Sequence, residues 1–418
     1  MFSGPIAKPW RGSHLDELST CLMRNVVALA FAEKVSQAAS LLLVQAMLAR
    51  SLGPTTYGVW QYTLSAINLV GSLALVCSSE ILVAAIIQRK DQAREWLWSA
   101  FFIRLAVSML CMVAVAIYLL GTLPAEYYTF ALILCSLLIL AEPFAVSIAY
   151  FQAIQRYPVV SITRLAILAV KLLALWIALR LQWSISLIAL IWILEFVCFN
   201  ILMSRYLAQA GILAPILRPE LLLHLLKAGA TVWAGFCFMY LIQRVDMLIL
   251  RRSIGFDLLG SYAAPKALIE SWYGFGWLLS QILAPALVYG AKTRVARFRL
   301  LGLMVALSVC AALVTTVAAE IILSLLFGSS YTGYSFILTA LAWTGVLVFA
   351  DAALSSFYFK QRHYALFMAK YFTAAAVYFV VLALQPSIQP ISFIFCITAA
   401  YATCVMFSAL YLRTQRIL

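Results

Sequence analysis

LARSLGPTTYG at positions 48–58 recurs as LRRSIGFDLLG at 250–260. At a constant offset of 202 they share five of eleven residues: Leu48 with Leu250, Arg50 with Arg252, Ser51 with Ser253, Gly53 with Gly255 and Gly58 with Gly260. Each stretch closes one long apolar run and opens the next. The arginine is expected at a helix end, where the dipole favours a cation. The first glycine is expected to take the positive φ that stops the helix, and the second to open the following one. A second echo, Gln155-Arg156-Tyr157 against Gln361-Arg362-His363, lies at offset 206. Two halves of the same orientation follow, related by a pseudo-two-fold axis along the membrane normal.

Composition supplies the membrane. Of 418 residues, 65% are hydrophobic and 11% charged, and the mean hydropathy is +1.02. Soluble domains run nearer 45–50% apolar and about 25% charged, so water cannot solvate this chain as a compact fold. Disorder, collagen and a small disulfide scaffold are excluded by the same figures. The apolar runs exceed the roughly 10 residues of a barrel strand, which predicts an all-α polytopic membrane protein.

Twelve runs approach or exceed the roughly 20 residues of a transmembrane helix. They lie near 25–49, 58–87, 96–120, 127–152, 158–180, 184–204, 221–250, 259–288, 300–325, 332–358, 364–384 and 391–412. The second is interrupted at Ser78, Ser79 and Glu80, where a bend or break is expected. Eighteen Lys and Arg fall on one side, from Lys8, Arg11 and Arg24 to Arg413 and Arg416, and the other side receives only Arg50, Arg180, Arg251 and Arg252. That asymmetry places both termini in the cytoplasm. The organisation expected is a cytoplasmic segment 1–24, a six-helix lobe 25–208, a cytoplasmic linker 209–220 and a second six-helix lobe 221–418. The external loops are too short to form a catalytic domain. No secretory signal is read before the first span, because residues 1–24 are polar and mixed in charge.

The net charge of +14 is accounted for by this loop asymmetry, not by nucleic acid. The nine cysteines include no C-x-x-C pair and fall mostly in apolar runs, so they read as small buried hydrophobes.

The motif R-x-L/I-G-x-x-x-x-G between the first two spans, repeated after the seventh, resembles that of the Wzx polysaccharide flippases. These belong to the multidrug/oligosaccharidyl-lipid/polysaccharide exporter superfamily. The likeness extends in architecture over most of the chain: twelve spans, two six-helix lobes, internal termini and short loops. It implies a central cavity lined by spans one, two, seven and eight. It also implies alternating-access flipping of polyprenyl-diphosphate-linked repeat units of O-antigen, lipopolysaccharide or exopolysaccharide across the bacterial inner membrane. Membrane lipids and the polysaccharide polymerase and chain-length machinery are the implied neighbours, and no catalytic residue or metal is called for.

Charges inside spans should face protein or water, since one at the bilayer centre costs about 2.5–3.5 kcal/mol on insertion scales. Lys34, Arg244 and Lys266 are the candidates to bind a substrate diphosphate, because cations in a wet cavity replace its lost hydration and arginine grips phosphate in a bidentate manner. The bland reading is pairing, Lys266 with Glu270 at i,i+4 and Arg244 with an acid on a neighbouring helix. Glu33, Asp246 and Glu270 are candidate carriers of a coupling H⁺ or Na⁺, with Glu80, Glu142, Glu195, Glu320 and Asp351 behind them. Arg104, Lys227 and Lys370 are expected to snorkel toward a cytoplasmic end, and Lys171 lacks a partner nearby in sequence. Trp233, Tyr240, Trp272 and Tyr273 are the candidates to stack on sugar faces, against the default of an interfacial aromatic belt. Pro265 should weaken the eighth span.

No P-loop, H-E-x-x-H motif or Cys/His cluster is present, which argues against an ATPase or a metalloenzyme. Two alternatives stand beside the flippase reading. A multidrug/cation antiporter would favour a net acidic cavity, and a membrane polysaccharide polymerase would need a substantial external loop.

Overall fold

The computed structural model describes residues 13–76, 79–154, 156–216, 218–284, 287–288 and 294–414, with no side chain described for 13–34 and a few scattered positions. The regular structure of the described residues is helical throughout. In order it comprises α1 (Ser13–Gly71), α2 (Ser79–Gln88), α3 (Ala93–Thr122), α4 (Tyr128–Cys135), α5 (Leu137–Ala141), α6 (Val146–Ala153), α7 (Tyr157–Arg180), α8 (Ile185–Gln209), α9 (Pro219–Leu250), α10 (Phe256–Ala284), α11 (Arg294–Leu326), α12 (Ser335–Gln361), α13 (Tyr364–Ala383) and α14 (Pro390–Thr414). Ten helical segments among the described residues are long and apolar enough to cross a membrane. The first of them, Val35–Leu75, holds two spans, and α10, which carries Asp257, Lys266 and Glu270, completes twelve.

Spans one and two are joined within α1. Gly53 there has φ 71° and ψ 170°, and Pro54 follows it. On a straight helix residues 45 and 61 would lie about 24 Å apart at 1.5 Å per residue. Instead Gln61 Nε2 donates to Gln45 Oε1 at 2.5 Å, and Tyr57 Oη to the same oxygen at 3.2 Å. The chain therefore reverses at Gly53, which tolerates positive φ, and Pro54 begins the next helix where its missing N–H costs nothing.

The second copy of the turn behaves differently. The positive-φ glycines of the described residues are Gly53, Gly211 and Gly328, so Gly255 does not stop its helix in the expected way. Here α9 ends through tight turns, with Arg252 N–H on Ile249 O at 3.0 Å and Ser253 N–H on Leu250 O at 2.9 Å. The carbonyl of Gly255 then accepts the Leu259 N–H at 3.0 Å and starts α10.

Gly58 and Gly260 also correct the expectation, because they lie inside α1 and α10 where the two helices cross. A Cβ on Gly58 would sit 2.1 Å from Phe256 O, and one on Gly260 would sit 1.9 Å from Pro54 O. Positions 54 and 256, like 58 and 260, differ by the repeat offset of 202. The repeated turns thus meet each other, and glycine is required by the close approach of two backbones. Thr55 Oγ1 and Asp257 Oδ1, again 202 apart, are 3.5 Å from each other.

Arg50 does not serve its own helix end. Its Nη2 donates to the carbonyls of Ser324, at 3.1 Å, and Leu325 at the end of α11. Tyr331 Oη returns a bond to Ala49 O at 2.9 Å. One half therefore caps a helix of the other at this end of the bundle. Arg50→Ala is expected to loosen that closure by about 1 kcal/mol, since the donor is exposed. Spin labels at Leu181→Cys and Leu384→Cys, with native cysteines replaced, would report a several-fold rise in the population with the longer distance. An unchanged distance distribution would refute the latch.

Two spans are broken. Span two leaves the α conformation after Gly71, through a 3-10 turn at Ser72–Leu75, earlier than the polar triplet suggested. Span four divides into α4, α5 and α6, which hydropathy did not reveal because all three pieces are apolar. Span eight, by contrast, runs through Pro265 as one helix, α10, buried between α1 and α12.

Candidate functional site

The α9–α10 hairpin concentrates charge beside this crossing. Asp246 is fully buried and Lys266 is 4% exposed. Lys266 Nζ lies 2.5 Å from both Asp246 carboxylate oxygens and 2.7 Å from Gln243 O. Tyr262 Oη donates to Asp246 Oδ2 at 2.5 Å. One turn along α10, Glu270 Oε1 lies 3.4 Å from Lys266 Nζ, while its Oε2 is 2.7 Å from Arg244 Nη1. The four charges form one chain, Asp246–Lys266–Glu270–Arg244, and cancel. The Arg244 and Glu270 side chains are 21% and 16% exposed, so this pair is the accessible end. Arg244 Nε and Glu270 Oε1 are buried atoms without a hydrogen-bond partner.

The first half also bridges its hairpin over sixteen residues, one position away from the repeat equivalent, and does so with neutral groups. Gln45 holds Gln61 sixteen residues on, as Asp246 holds Tyr262. Tyr57, on the facing helix of the first half, lies within electrostatic range of Arg244 and Glu270.

Other intramembrane charges are also paired. Lys370 is fully buried, not snorkelling: its Nζ lies 2.7 Å from Asp351 Oδ1 and 2.7 Å from Ser355 Oγ, and Tyr371 Oη donates to Asp351 Oδ2 at 2.6 Å. Arg104 is 1% exposed and donates to Glu142 O at 3.2 Å, so it too stays inside. Lys227 is exposed. Lys171 finds Glu195 on the next helix at 2.5 Å and stands 3.7 Å from the Trp192 ring centre. Arg164 lies inside α7 with its guanidinium 4.7 Å from the Phe199 ring centre.

Of the predicted site residues, Arg244, Asp246, Lys266 and Glu270 come together. The side chains of Glu33 and Lys34, and of Glu80, lie outside the described residues. The aromatic candidates are dispersed. Trp272 stacks on Phe349 and Phe275 at centroid distances of 4.9 and 5.5 Å. Tyr273 is buried and donates to Leu341 O at 2.6 Å. Trp233 gives its indole N–H to Ser72 O at 3.2 Å, and Tyr240 lines a crevice with Glu142. Sequence reasoning missed Tyr262 and Gln243, which complete the charge chain. Their spacing from Asp246 and Lys266 on facing helices was the available signal.

No protein-family model matches the sequence, and the curated proteins contain no match. Solved structures do match in fold. The eukaryotic MATE transporter AtDTX14 superposes with a TM-score of 0.61 at 13% identity, over 94% of this chain and 99% of that one. An inward-facing multidrug resistance MATE family transporter of the MOP superfamily gives 0.62 at 11% identity, over 91% and 95%. The lipid II flippase MurJ, in an inward closed conformation, gives 0.66 at 12% identity, over 93% and 87%. The chain therefore has the twelve-helix, multi-pass membrane fold that MATE transporters and MurJ share.

Proposed function

We propose that this chain flips a polyprenyl-diphosphate-linked oligosaccharide across the bacterial inner membrane by alternating access of its two lobes, for surface polysaccharide synthesis. The fold shared with MATE transporters and MurJ supports transport, and MurJ supports a lipid-linked cargo. The observation that carries the anionic headgroup is Arg244. It is partly accessible, and its buried Nε has no partner. A guanidinium presenting Nε and Nη together is the donor pattern that holds two phosphate oxygens.

The mechanism follows from the charge chain. A diphosphate arriving at Arg244 displaces Glu270, whose other oxygen already faces Lys266 at 3.4 Å. The released carboxylate moves toward that ammonium, so the displaced acid keeps a counter-charge inside the membrane. Lys266 itself is held by Asp246 and keeps the hairpin in register. In this reading Arg244 is the binding residue and Lys266 a positioning one, while Lys34, whose side chain lies outside the described residues, stays a candidate beside Arg244. Glu270 and Asp246 act here as counter-charges, not as carriers of a coupling ion.

Arg244→Ala is expected to lower flipping at least about tenfold, the loss of one charged hydrogen-bonding group. Lipid-linked oligosaccharide would then accumulate on the cytoplasmic leaflet and surface polymer would fall, with Arg244→Lys intermediate because lysine offers only a point charge. Wild-type polymer from an expressed Arg244→Ala protein would refute the assignment. Deletion of the chain separates the other classes. Single repeat units accumulating outside would indicate a polymerase, and unchanged polymer with altered sensitivity to organic cations would indicate a drug exporter.

A further inference from the structure

Where span four breaks, α5 and the turn that follows it stand off from α8. A groove of about 430 Å³ lies between them, a volume in the range of small-molecule sites. Leu140 and Phe144 form one wall, Val197, Ile201 and Ala208 of α8 form the other, and Leu213 of the inter-lobe segment lies at one end. Ile201 is 50% exposed, so the groove opens sideways to lipid, and no member of the charge chain lines it. Breaking a helix frees carbonyls, yet those of the two wall residues are taken. Leu140 O accepts Asn200 Nδ2 at 2.7 Å, and Phe144 O accepts the Ser147 N–H at 3.0 Å and Ser147 Oγ at 2.7 Å. These carbonyls demand no water, and an apolar chain can lie against them.

Charge is confined to one end. Ser204 and Arg205, near the last turn of α8, line it, and neither side chain has a hydrogen bond or ion pair among the described residues. The acids nearest in sequence, Glu142 and Glu195, line other crevices, so Arg205 is the single charge of the groove. In the orientation that the Lys and Arg asymmetry predicts, this end lies at the cytoplasmic surface. From Ala208 to Val197 the wall covers about 16 Å at 1.5 Å per residue, against about 15 Å for half the hydrocarbon thickness. The groove therefore spans one leaflet, with its cation at headgroup level and its apolar length reaching the bilayer centre.

We propose that this groove holds one anionic phospholipid of the cytoplasmic leaflet, with its phosphate on Arg205 and Ser204 and one acyl chain along Leu140, Phe144 and Ile201. The guanidinium without a protein counter-ion finds one in the phosphate, through charge-assisted hydrogen bonds. A headgroup of net negative charge is preferred to a zwitterionic one, whose own cation competes with the arginine. An acyl chain of one leaflet's length fits a groove that ends at the bilayer centre, whereas a polyprenyl chain is far longer and overruns it. The lipid acts as a wedge that ties the broken span four to α8 and to the start of the inter-lobe segment. It belongs to the first lobe alone and does not depend on the transport reading.

The test counts lipids retained by the detergent-solubilised protein in native mass spectrometry, on titration with phosphatidylglycerol or with phosphatidylcholine of the same chains. Wild type is expected to hold one phosphatidylglycerol about fivefold more tightly than phosphatidylcholine, the preference that one arginine near anionic lipid supplies. Arg205→Gln should abolish that preference, and Arg156→Gln, at an exposed turn outside the groove, should keep it. Ile201→Trp is expected to weaken both lipids by filling the groove. Heat inactivation gives a second readout that needs no such bulky variant. Phosphatidylglycerol should lengthen the half-life of wild type several-fold and leave that of Arg205→Gln unchanged. No preference in wild type, or the same preference in Arg205→Gln, would overturn the proposal. So would displacement of the bound lipid by an equimolar polyprenyl monophosphate, which would assign the groove to the tail of a cargo. No transport is measured, so each outcome stands whether or not the flippase reading does.

Discussion

Replacing Asp246 by alanine is expected to destabilise the protein by about 3–5 kcal/mol, the cost of leaving the other member of a buried ion pair unmatched. Asp246 is fully exposure-free, and it accepts from both Lys266 and Tyr262. Its loss leaves the ammonium in the interior with only Gln243 O and, at 3.4 Å, Glu270 Oε1, which Arg244 already shares. The double variant Asp246→Ala/Lys266→Met is therefore expected to recover most of the loss, because an apolar pair of similar volume substitutes well for a buried ion pair. Glu270→Ala should cost less, since Glu270 is 16% exposed and water can reach its partner. The measurement is the inactivation half-life on heating of detergent-solubilised protein, followed by monodispersity, because such unfolding is governed by rate. A double variant less stable than Asp246→Ala alone would show that the pair is not what holds the hairpin.

Gly260→Ala is expected to cost about 3 kcal/mol or more, at the upper end of overpacking, and to part the two halves. The added Cβ would lie 1.9 Å from Pro54 O and 2.9 Å from Gly58 N. Both neighbours are backbone, so no side chain can turn aside. The helices α1 and α10 must separate by more than an ångström, and the Thr55–Asp257 and Arg50–Ser324 contacts go with them. Gly274 on the same helix is the control, since a Cβ there meets nothing within 4 Å. Gly274→Ala should leave stability unchanged or raise it by about 0.5–1 kcal/mol through helix propensity. Heat inactivation and the Leu181–Leu384 label distance read both effects. Equal behaviour of the two variants would mean that the crossing is not tight.

Much of the fold was legible because lipid selects for local hydropathy. Runs such as 300–325 and 364–384 identify themselves without reference to any neighbour, and α11 and α13 occupy them. The repeated turn was legible as a repeat, but the roles given to its residues were only partly right. Gly53 takes the left-handed conformation, whereas Gly255 does not, and Gly58 and Gly260 serve a contact 202 residues away that no local rule describes. Broken span four escaped notice for a related reason. Helix breaks inside apolar sequence are held open by partners such as Asn200 and Arg104, whose positions the local sequence does not give.

Of the candidate site, the charged residues themselves were legible, since charge inside an apolar run stands out. Their relationships were not. Lys370 looked like a snorkelling residue from its distance to a helix end, yet it is sealed among Asp351, Ser355 and Tyr371. Position along a helix fixes depth in the bilayer, while partnership depends on the direction a side chain faces and on which helix stands there. The sequence by itself determined that this chain lives in a membrane as repeated apolar spans, because that follows from hydropathy residue by residue. Tertiary structure alone decided which charges neutralise each other, which leave Arg244 Nε unpartnered, and why the crossing demands glycine, because those depend on the azimuth and separation of helices distant in sequence.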